Sequence, residues 1–302
     1  MSGMCEGRVC IVTGAGRGIG REHALMLASE GAKVVVNDLG GEVDGSGGDL
    51  SPAQQVVEEI KAMGAEAVAN GDNVASWAGA QQLINQAVET FGRLDVVVNN
   101  AGILRDRMLT NMTEEEWDAV IAVHLKGTFA PSRWAAAYWR DLAKAGEKVD
   151  GRIITTTSVS GIYGNPGQTN YGAAKAGIAS FTVIAARELK RYGVTVNAIA
   201  PGALTRMTEG LSGMAARNEE EREMMNPRWI APVCTWLASP LSADVTGRVF
   251  EASGRILGIA EGWHRGPTAT PVDDPNQVDS VVRQLLASAR GNADMNGAEA
   301  EW

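Results

Sequence analysis

Residues Arg8-Val9-Cys10-Ile11-Val12-Thr13 run straight into Gly14-Ala15-Gly16-Arg17-Gly18-Ile19-Gly20. From Ile19 to Glu30 the apolar positions recur at helical spacing, and Gly31 supplies a stop signal. A strand that empties through glycines into a helix constrains the fold more than any other feature of the chain. The glycines let backbone N–H groups and a helix N-terminus close around a pyrophosphate. A tight turn needing positive φ would explain one such glycine, but four at alternating positions behind a strand favour the phosphate reading. The spacing is Gly14-x-x-x-Gly18-x-Gly20, not the commoner Gly-x-Gly-x-x-Gly.

A second strand, Lys33-Val34-Val35-Val36-Asn37-Asp38, ends in an acid. A carboxylate there accepts hydrogen bonds from ribose hydroxyls and repels a 2′-phosphate, which favours NAD over NADP. Arg17 inside the glycine turn argues the other way, but Leu39, Gly40 and Gly41 bring no base behind Asp38. NAD is therefore the expected cofactor.

Strands are expected at 66–70, 94–99, 152–157, 194–199 and 249–252. Helices are expected at 51–63, 76–91 and 170–192, and another opens on the Thr113/Glu116 capping box and runs to about 143 with a break near Gly127. Leu94-Asp95-Val96-Val97-Val98-Asn99 is apolar almost throughout, as a parallel strand buried on both faces must be. The order predicts an α/β fold, a doubly wound parallel sheet of about seven strands with helices on both faces. With 302 residues, 45% hydrophobic and no linker or repeat, one domain over 1–302 is expected, its core at about 7–254 and a C-terminal extension at 255–302.

The net charge of −9 argues against a nucleic-acid partner, and no apolar run is long enough for a membrane span. Three cysteines without a Cys-x-x-Cys pair indicate a reducing compartment, and three scattered histidines compose no metal site. The first core strand begins too early for a signal peptide, so a cytoplasmic protein is expected.

Functional residue types gather at the carboxyl ends of these strands. Ser158 follows the fifth, and Tyr171 and Lys175 lie four apart on the next helix, hence on one face. An ammonium beneath a phenol is expected to lower its pKa, making a base of a group that is otherwise a poor one at neutral pH.

Thr13-Gly14-x-x-x-Gly18-x-Gly20, Asp38, Asp72, Asn99-Asn100-Ala101-Gly102, Ser158, Tyr171-x-x-x-Lys175 and Pro201-Gly202 together resemble the short-chain dehydrogenase/reductase family in its NAD-preferring form. The likeness runs over about 7–254 and implies a Rossmann-type fold with Ser158, Tyr171 and Lys175 catalytic. It implies cofactor contacts from Gly14, Arg17, Gly18, Ile19, Gly20 and Asp38, and from Asp72, Asn73 and Val74 after the third strand. Asn99, Ala101 and Gly102, then Tyr171 and Lys175, and finally Pro201, Gly202, Leu204 and Thr205 complete that set. His124 stands where many members of the family carry an Asn in the proton relay. It either supports that relay or bonds a backbone carbonyl, or it is a satisfied core histidine.

A narrower likeness, in Val35 to Gly41, Asn99 to Arg107 and Ser160 to Asn165, is to the (3R)-hydroxyacyl-CoA dehydrogenase units of peroxisomal type 2 multifunctional enzymes. It implies a stand-alone enzyme oxidising a (3R)-hydroxyacyl-CoA. The alternatives are a hydroxysteroid dehydrogenase, a broad carbonyl reductase and a non-catalytic NAD-binding sensor. A Met-rich lid at about 204–226 suits an acyl-CoA or steroid-like small-molecule substrate. Arg105, Arg107, Arg255 and Arg265 are candidates for coenzyme A phosphates. The family likeness also implies a homodimer or homotetramer, with Trp134, Tyr138 and Trp139 as candidate interface residues.

Overall fold

The structure is a computed structural model and describes residues 3–41, 46–47, 51–205 and 218–299. It separates into two compact units, Met1–Ala260 and Glu261–Trp302. The first unit begins β1 (Val9–Thr13), α1 (Gly18–Ser29), β2 (Lys33–Asn37), α2 (Ser51–Ala62), β3 (Ala67–Asn70), α3 (Trp77–Phe91) and β4 (Val96–Asn99). It continues α4 (Glu114–Ile121), α5 (Gly127–Lys144), β5 (Gly151–Thr156), α6 (Thr169–Leu189) and β6 (Val194–Gly202). It closes with α7 (Glu219–Met224), α8 (Ala231–Ala238), β7 (Val249–Ser253) and β8 (Leu257–Ala260).

The strands form one sheet in the order β3-β2-β1-β4-β5-β6-β7-β8, parallel except for β8. Alternate residues of each strand feed opposite faces. Val34 and Val36 pack with Leu27, Ile60 and Leu237 on one side, while Val35 packs with Leu83, Ala135 and Trp139 on the other. Helices therefore cover both faces, as expected for a doubly wound sheet. The strand order reverses between β1 and β4, and a crevice opens there at the carboxyl ends of the strands.

Local signals account for the helix ends. Ser76 caps α3 through Gly79 N–H, and Gly92 ends that helix in the left-handed region at φ 79°. Thr113 and Glu116 form the expected capping box on α4. The break before Gly127 is a π-helical turn, Ala122–Lys126, which carries His124 inward.

Three expectations are corrected. The sheet has eight strands, one more than the seven read from sequence, the added one being β8. The antiparallel β8 was missed because it has only four residues, includes Gly258, and alternates between exposed and half-buried positions, so no buried face marks it. Pro201 and Gly202 do not follow the sixth strand but end it, pairing with Ala252 and Ser253 of β7. Proline is tolerated there because pairing to β5 has stopped at Ile199, so the missing N–H costs no ladder bond on that side. Trp139 is not an interface residue. It is 1% exposed, and its indole N–H donates to the Leu94 carbonyl, anchoring α5 beside β4.

In the second unit α9 (Pro275–Ser288) is capped by Asp274, which accepts from Asn276 N–H, and has no buried residue. Among the described residues no helix is long and apolar enough to cross a membrane. No group of His, Cys, Asp or Glu among them could hold a metal. All three cysteines are free and buried.

Candidate active site

The turn between β1 and α1 is locked against the turn after β4. A Cβ on Gly14 would lie 2.7 Å from the Ala101 Cα, and one on Gly20 would lie 2.2 Å from the Gly14 carbonyl oxygen. Gly14 also holds φ at 61°, so only glycine fits. Thr13 Oγ1 accepts from the Asn100 and Ala101 N–H groups at 2.9 and 3.1 Å. The Asn100 amide donates in return to the Thr13 and Gly14 carbonyls at 3.0 and 3.1 Å.

The N-cap of α1, Arg17, is extended and caps nothing with its side chain, and the first turn holds no acid. Gly18, Ile19 and Gly20 line a cleft, which leaves the unsatisfied N–H groups and the positive end of the helix dipole for an anion. An uncapped, glycine-lined helix start of this kind fits the diphosphate of a dinucleotide.

Asp38 follows β2 at the cleft wall and accepts from Gly16 N–H at 2.7 Å and Gly40 N–H at 2.6 Å. Those two bonds orient its carboxylate across the glycine turn. Beneath it, Asn37 donates to Asn70 and to the Asp72 carbonyl, while Asn70 donates to Asp72 and Gln86. This amide network ties the ends of β2 and β3 to α3 and sets Asp72, Asn73 and Val74 on the cleft wall.

The catalytic candidates meet on the far side. Lys175 is 2% exposed; its ammonium donates to the Thr156 carbonyl at 2.6 Å and sits 5.5 Å from the centre of the Tyr171 ring. His124 meets the same ring edge-on at 5.1 Å. His124 Nε2 lies 2.7 Å from the Ile103 carbonyl oxygen and 3.1 Å from the Ile103 nitrogen, while Nδ1 is buried without a partner. A Cβ on Gly102 would fall 2.4 Å from the imidazole, so Gly102 is glycine because His124 is there. Ser158 is 8% exposed, and its Oγ accepts from Ser160 N–H at 3.1 Å.

The electrostatics correct one expectation. Burial pushes the Tyr171 phenol up to about 12, opposed by the Ser158 hydroxyl and reinforced by the Asp106 charge. Burial draws Lys175 down to about 7. With the amine near 7 and the phenol near 12, Lys175 gives up its proton first and then carries no charge that would lower the phenol. Burial likewise holds His124 near 3, with Lys175 adding repulsion, so the imidazole is neutral.

Every expected cofactor residue lines this one cleft except Asn99, Gly202 and Leu204, and Tyr171, Lys175 and His124 line it too. Asn99 is buried and donates to Ser132 on α5; its neighbour Asn100 is the residue at the cleft. Leu204 donates its N–H to the Met225 carbonyl. Ser158 is not among the lining residues, but its hydroxyl acts on the Tyr171 phenol through a hydrogen bond. Leu39, Asn100, Ile103, Thr156 and Ala203 are among the further lining residues and were not assigned to the site from sequence. Asn100 carried a signal as part of the Asn99-Asn100-Ala101-Gly102 motif, and Leu39 and Ile103 lie within the stretches of narrower likeness. Residues 206–217 of the proposed lid lie outside the described residues. The end of the lid region forms α7. Of the basic candidates, Arg107 pairs with Glu116 at 3.2 Å, and Arg255 lies 3.8 Å from Glu221.

Residues 8–216 match the family model described as short chain dehydrogenase. The chain is 49% identical to hydroxyacyl-CoA dehydrogenase ChsB1 of Mycobacterium tuberculosis, over 93% of this chain and 89% of that protein. It is 44% identical to peroxisomal multifunctional enzyme type 2 of Mus musculus, over 86% of this chain but only 33% of that larger protein. The crystal structure of a short chain dehydrogenase from Mycobacterium avium superposes with a TM-score of 0.87 at 54% identity, covering 99% of this chain and all of that one. With matches of this extent, and with the family's motifs converging on one crevice, the chain belongs to the short-chain dehydrogenase family.

Proposed function

We propose that this protein is a NAD-dependent dehydrogenase that oxidises the secondary hydroxyl of a (3R)-hydroxyacyl-CoA to the 3-oxoacyl thioester. The observation that carries the reading is the convergence of Tyr171, Lys175 and His124 on the cleft that also holds the glycine turn and Asp38. A relative whose name specifies hydroxyacyl-CoA dehydrogenation supports the substrate class.

The glycine turn with the start of α1 would hold the diphosphate, and Asp38 the adenosine ribose, where its charge disfavours a 2′-phosphate. When bound, the nicotinamide supplies the hydride acceptor and, in its oxidised form, a positive charge. Tyr171 is the group placed to remove the hydroxyl proton. Ser158 stabilises the charge that develops on the substrate oxygen. Lys175, held by the Thr156 carbonyl, sits beneath the ring and favours the phenolate when it is protonated. The substrate loses one proton and one hydride, its C–H bond breaks, and the carbon–oxygen bond becomes double.

A reductase reading is favoured by a further relative. The chain is 38% identical to the 3-oxoacyl-[acyl-carrier-protein] reductase FabG of Thermotoga maritima, over 98% of that protein. A free homodimer or homotetramer in solution belongs to the same proposal.

NAD reduction measured against matched (3R)- and (3S)-3-hydroxyacyl-CoA, with NADP and a hydroxysteroid as controls, tests the assignment. Turnover of the (3R) thioester with NAD is the expected result. Tyr171→Phe should bind NAD nearly as before and lose oxidation, and undiminished turnover in that variant would refute the role of the phenol.

A further inference from the structure

Asp106 lies on the loop after β4, outside the residues that line the cleft, yet it is bound to the chain just ahead of Tyr171. Gln168, 5% exposed and the N-cap residue of α6, does not cap the helix with its side chain. Its amide instead donates to Asp106 Oδ2 at 2.7 Å, and its Oε1 accepts from Asn165 at 2.9 Å. The backbone adds a parallel bridge between Arg107 and Gln168, with Arg107 N–H donating to the Gly167 carbonyl at 2.9 Å. Asn170, fully buried, donates to the Arg105 and Glu116 carbonyls and accepts from the Tyr171 N–H.

The β4 loop and the first turn of α6 are therefore one pinned assembly. At its centre Asp106 keeps a second oxygen, Oδ1, buried and without a hydrogen-bond partner. An unsatisfied carboxylate oxygen costs stability and calls for a reason.

We propose that Asp106 is a positioning residue for Tyr171. Latched by Gln168, it fixes the β4 loop to the helix turn that presents the phenol and holds a carboxylate inside that pinned assembly. Lys175 from α6 and His124 from the π-turn meet the Tyr171 ring, and the Ser158 hydroxyl after β5 and the Asp106 charge act on its phenol in opposite directions. The groups around Asp106 are Gln168 and Asn165, Arg105 and Arg107 on its own loop, and Glu116 of α4, which pairs with Arg107. Burial raises the Asp106 carboxyl while the Gln168 bond lowers it, and the Asp106 charge in turn opposes ionisation of Tyr171.

The inference rests on Tyr171 being the proton acceptor, so the test carries two separable readouts. One is the pH profile of kcat/KM for hydroxyacyl-CoA oxidation. The other is the ultraviolet phenolate titration of Tyr171 itself, taken as the difference between each protein and its Tyr171→Phe counterpart. Asp106→Asn preserves the shape and the Gln168 contact while removing the charge. It should move both the acid limb and the phenolate titration down by about one pH unit. Asp106→Ala should make the same shift and also raise KM through loss of the latch. An unmoved phenolate titration in Asp106→Asn overturns the proposal, as does equal damage to KM in both variants. If the wild-type protein oxidises no thioester while the Asp106→Asn titration still moves, the substrate assignment falls and the Asp106 role stands.

Discussion

Asn100, not Asn99, should govern dinucleotide binding, and a pair of alanine variants separates them. Asn100→Ala deletes two hydrogen bonds, to the Thr13 and Gly14 carbonyls, at the point where the glycine turn rests on the β4 turn. With each bond worth about 1 kcal/mol and the partly buried acceptors left short of donors, the loss comes to about 2–3 kcal/mol. In a protein of this size that lowers the Tm by roughly 3–5 °C. The loosened segment is the one that would cradle the diphosphate, so even half of that energy weakens NAD affinity about tenfold. Asn99→Ala removes one bond to Ser132 on the buried side, and its Oδ1 has no partner to lose. That variant should lose stability while its NAD affinity stays within about twofold of wild type. Thermal unfolding gives the first quantity and isothermal titration of NAD the second. If Asn99→Ala weakens NAD as much as Asn100→Ala does, the geometric argument for the cleft is wrong.

Three further outcomes are expected. Replacing Asp38 by Ser together with Leu39 by Arg should move the ratio of NAD to NADP affinity toward NADP by roughly 100-fold; an unchanged ratio from titration of both dinucleotides would exclude Asp38 from the ribose site. His23 and His124 are both buried and held near pKa 3 from an ordinary 6.5. The folded state thus binds fewer protons than the unfolded state between those values, and stability falls as pH drops from about 6.5 to 3, by up to roughly 1.4 kcal/mol per pH unit for each histidine. Urea unfolding at stepped pH should show a shallower slope for His23→Gln, and an identical slope counts against it. Gly102→Ala drives a methyl group into the His124 ring and should cost about 1–3 kcal/mol in denaturant unfolding; a neutral substitution would mean that the imidazole can move freely.

What could be read from the chain beforehand follows from how strongly burial shapes composition. The central strands announce themselves because both of their faces are covered: Val9 to Thr13 and Val96 to Asn99 are buried at every position. β8 leaves Leu257 71% and Ile259 55% exposed, and a short strand with one open face has no such signature. The glycine turn was legible because only glycine tolerates those approaches. The choice between Asn99 and Asn100 was not, since adjacent strand-end residues point to opposite sides and a motif does not say which side meets the cleft. Trp139 misled for a related reason. An aromatic residue on a helix reads as interface or core alike until its indole is seen donating to the Leu94 carbonyl.

The Tyr171–Lys175 pair shows where sequence spacing stops being informative. Four residues on a helix correctly bring the ammonium beneath the phenol ring, but proximity is only one contribution to acidity. Burial acts on both partners and with opposite sign, raising the phenol toward 12 and lowering the amine toward 7. Each group is thereby biased toward its neutral form, and neither needs a counter-charge to remain folded. A site biased in this way ionises at lower pH when positive charge is added beside the phenol or negative charge is removed from its surroundings. Oxidised nicotinamide does the first and substitution of Asp106 does the second. The two perturbations should therefore displace the same phenolate titration in the same direction, and opposite displacements would be incompatible with an electrostatic origin.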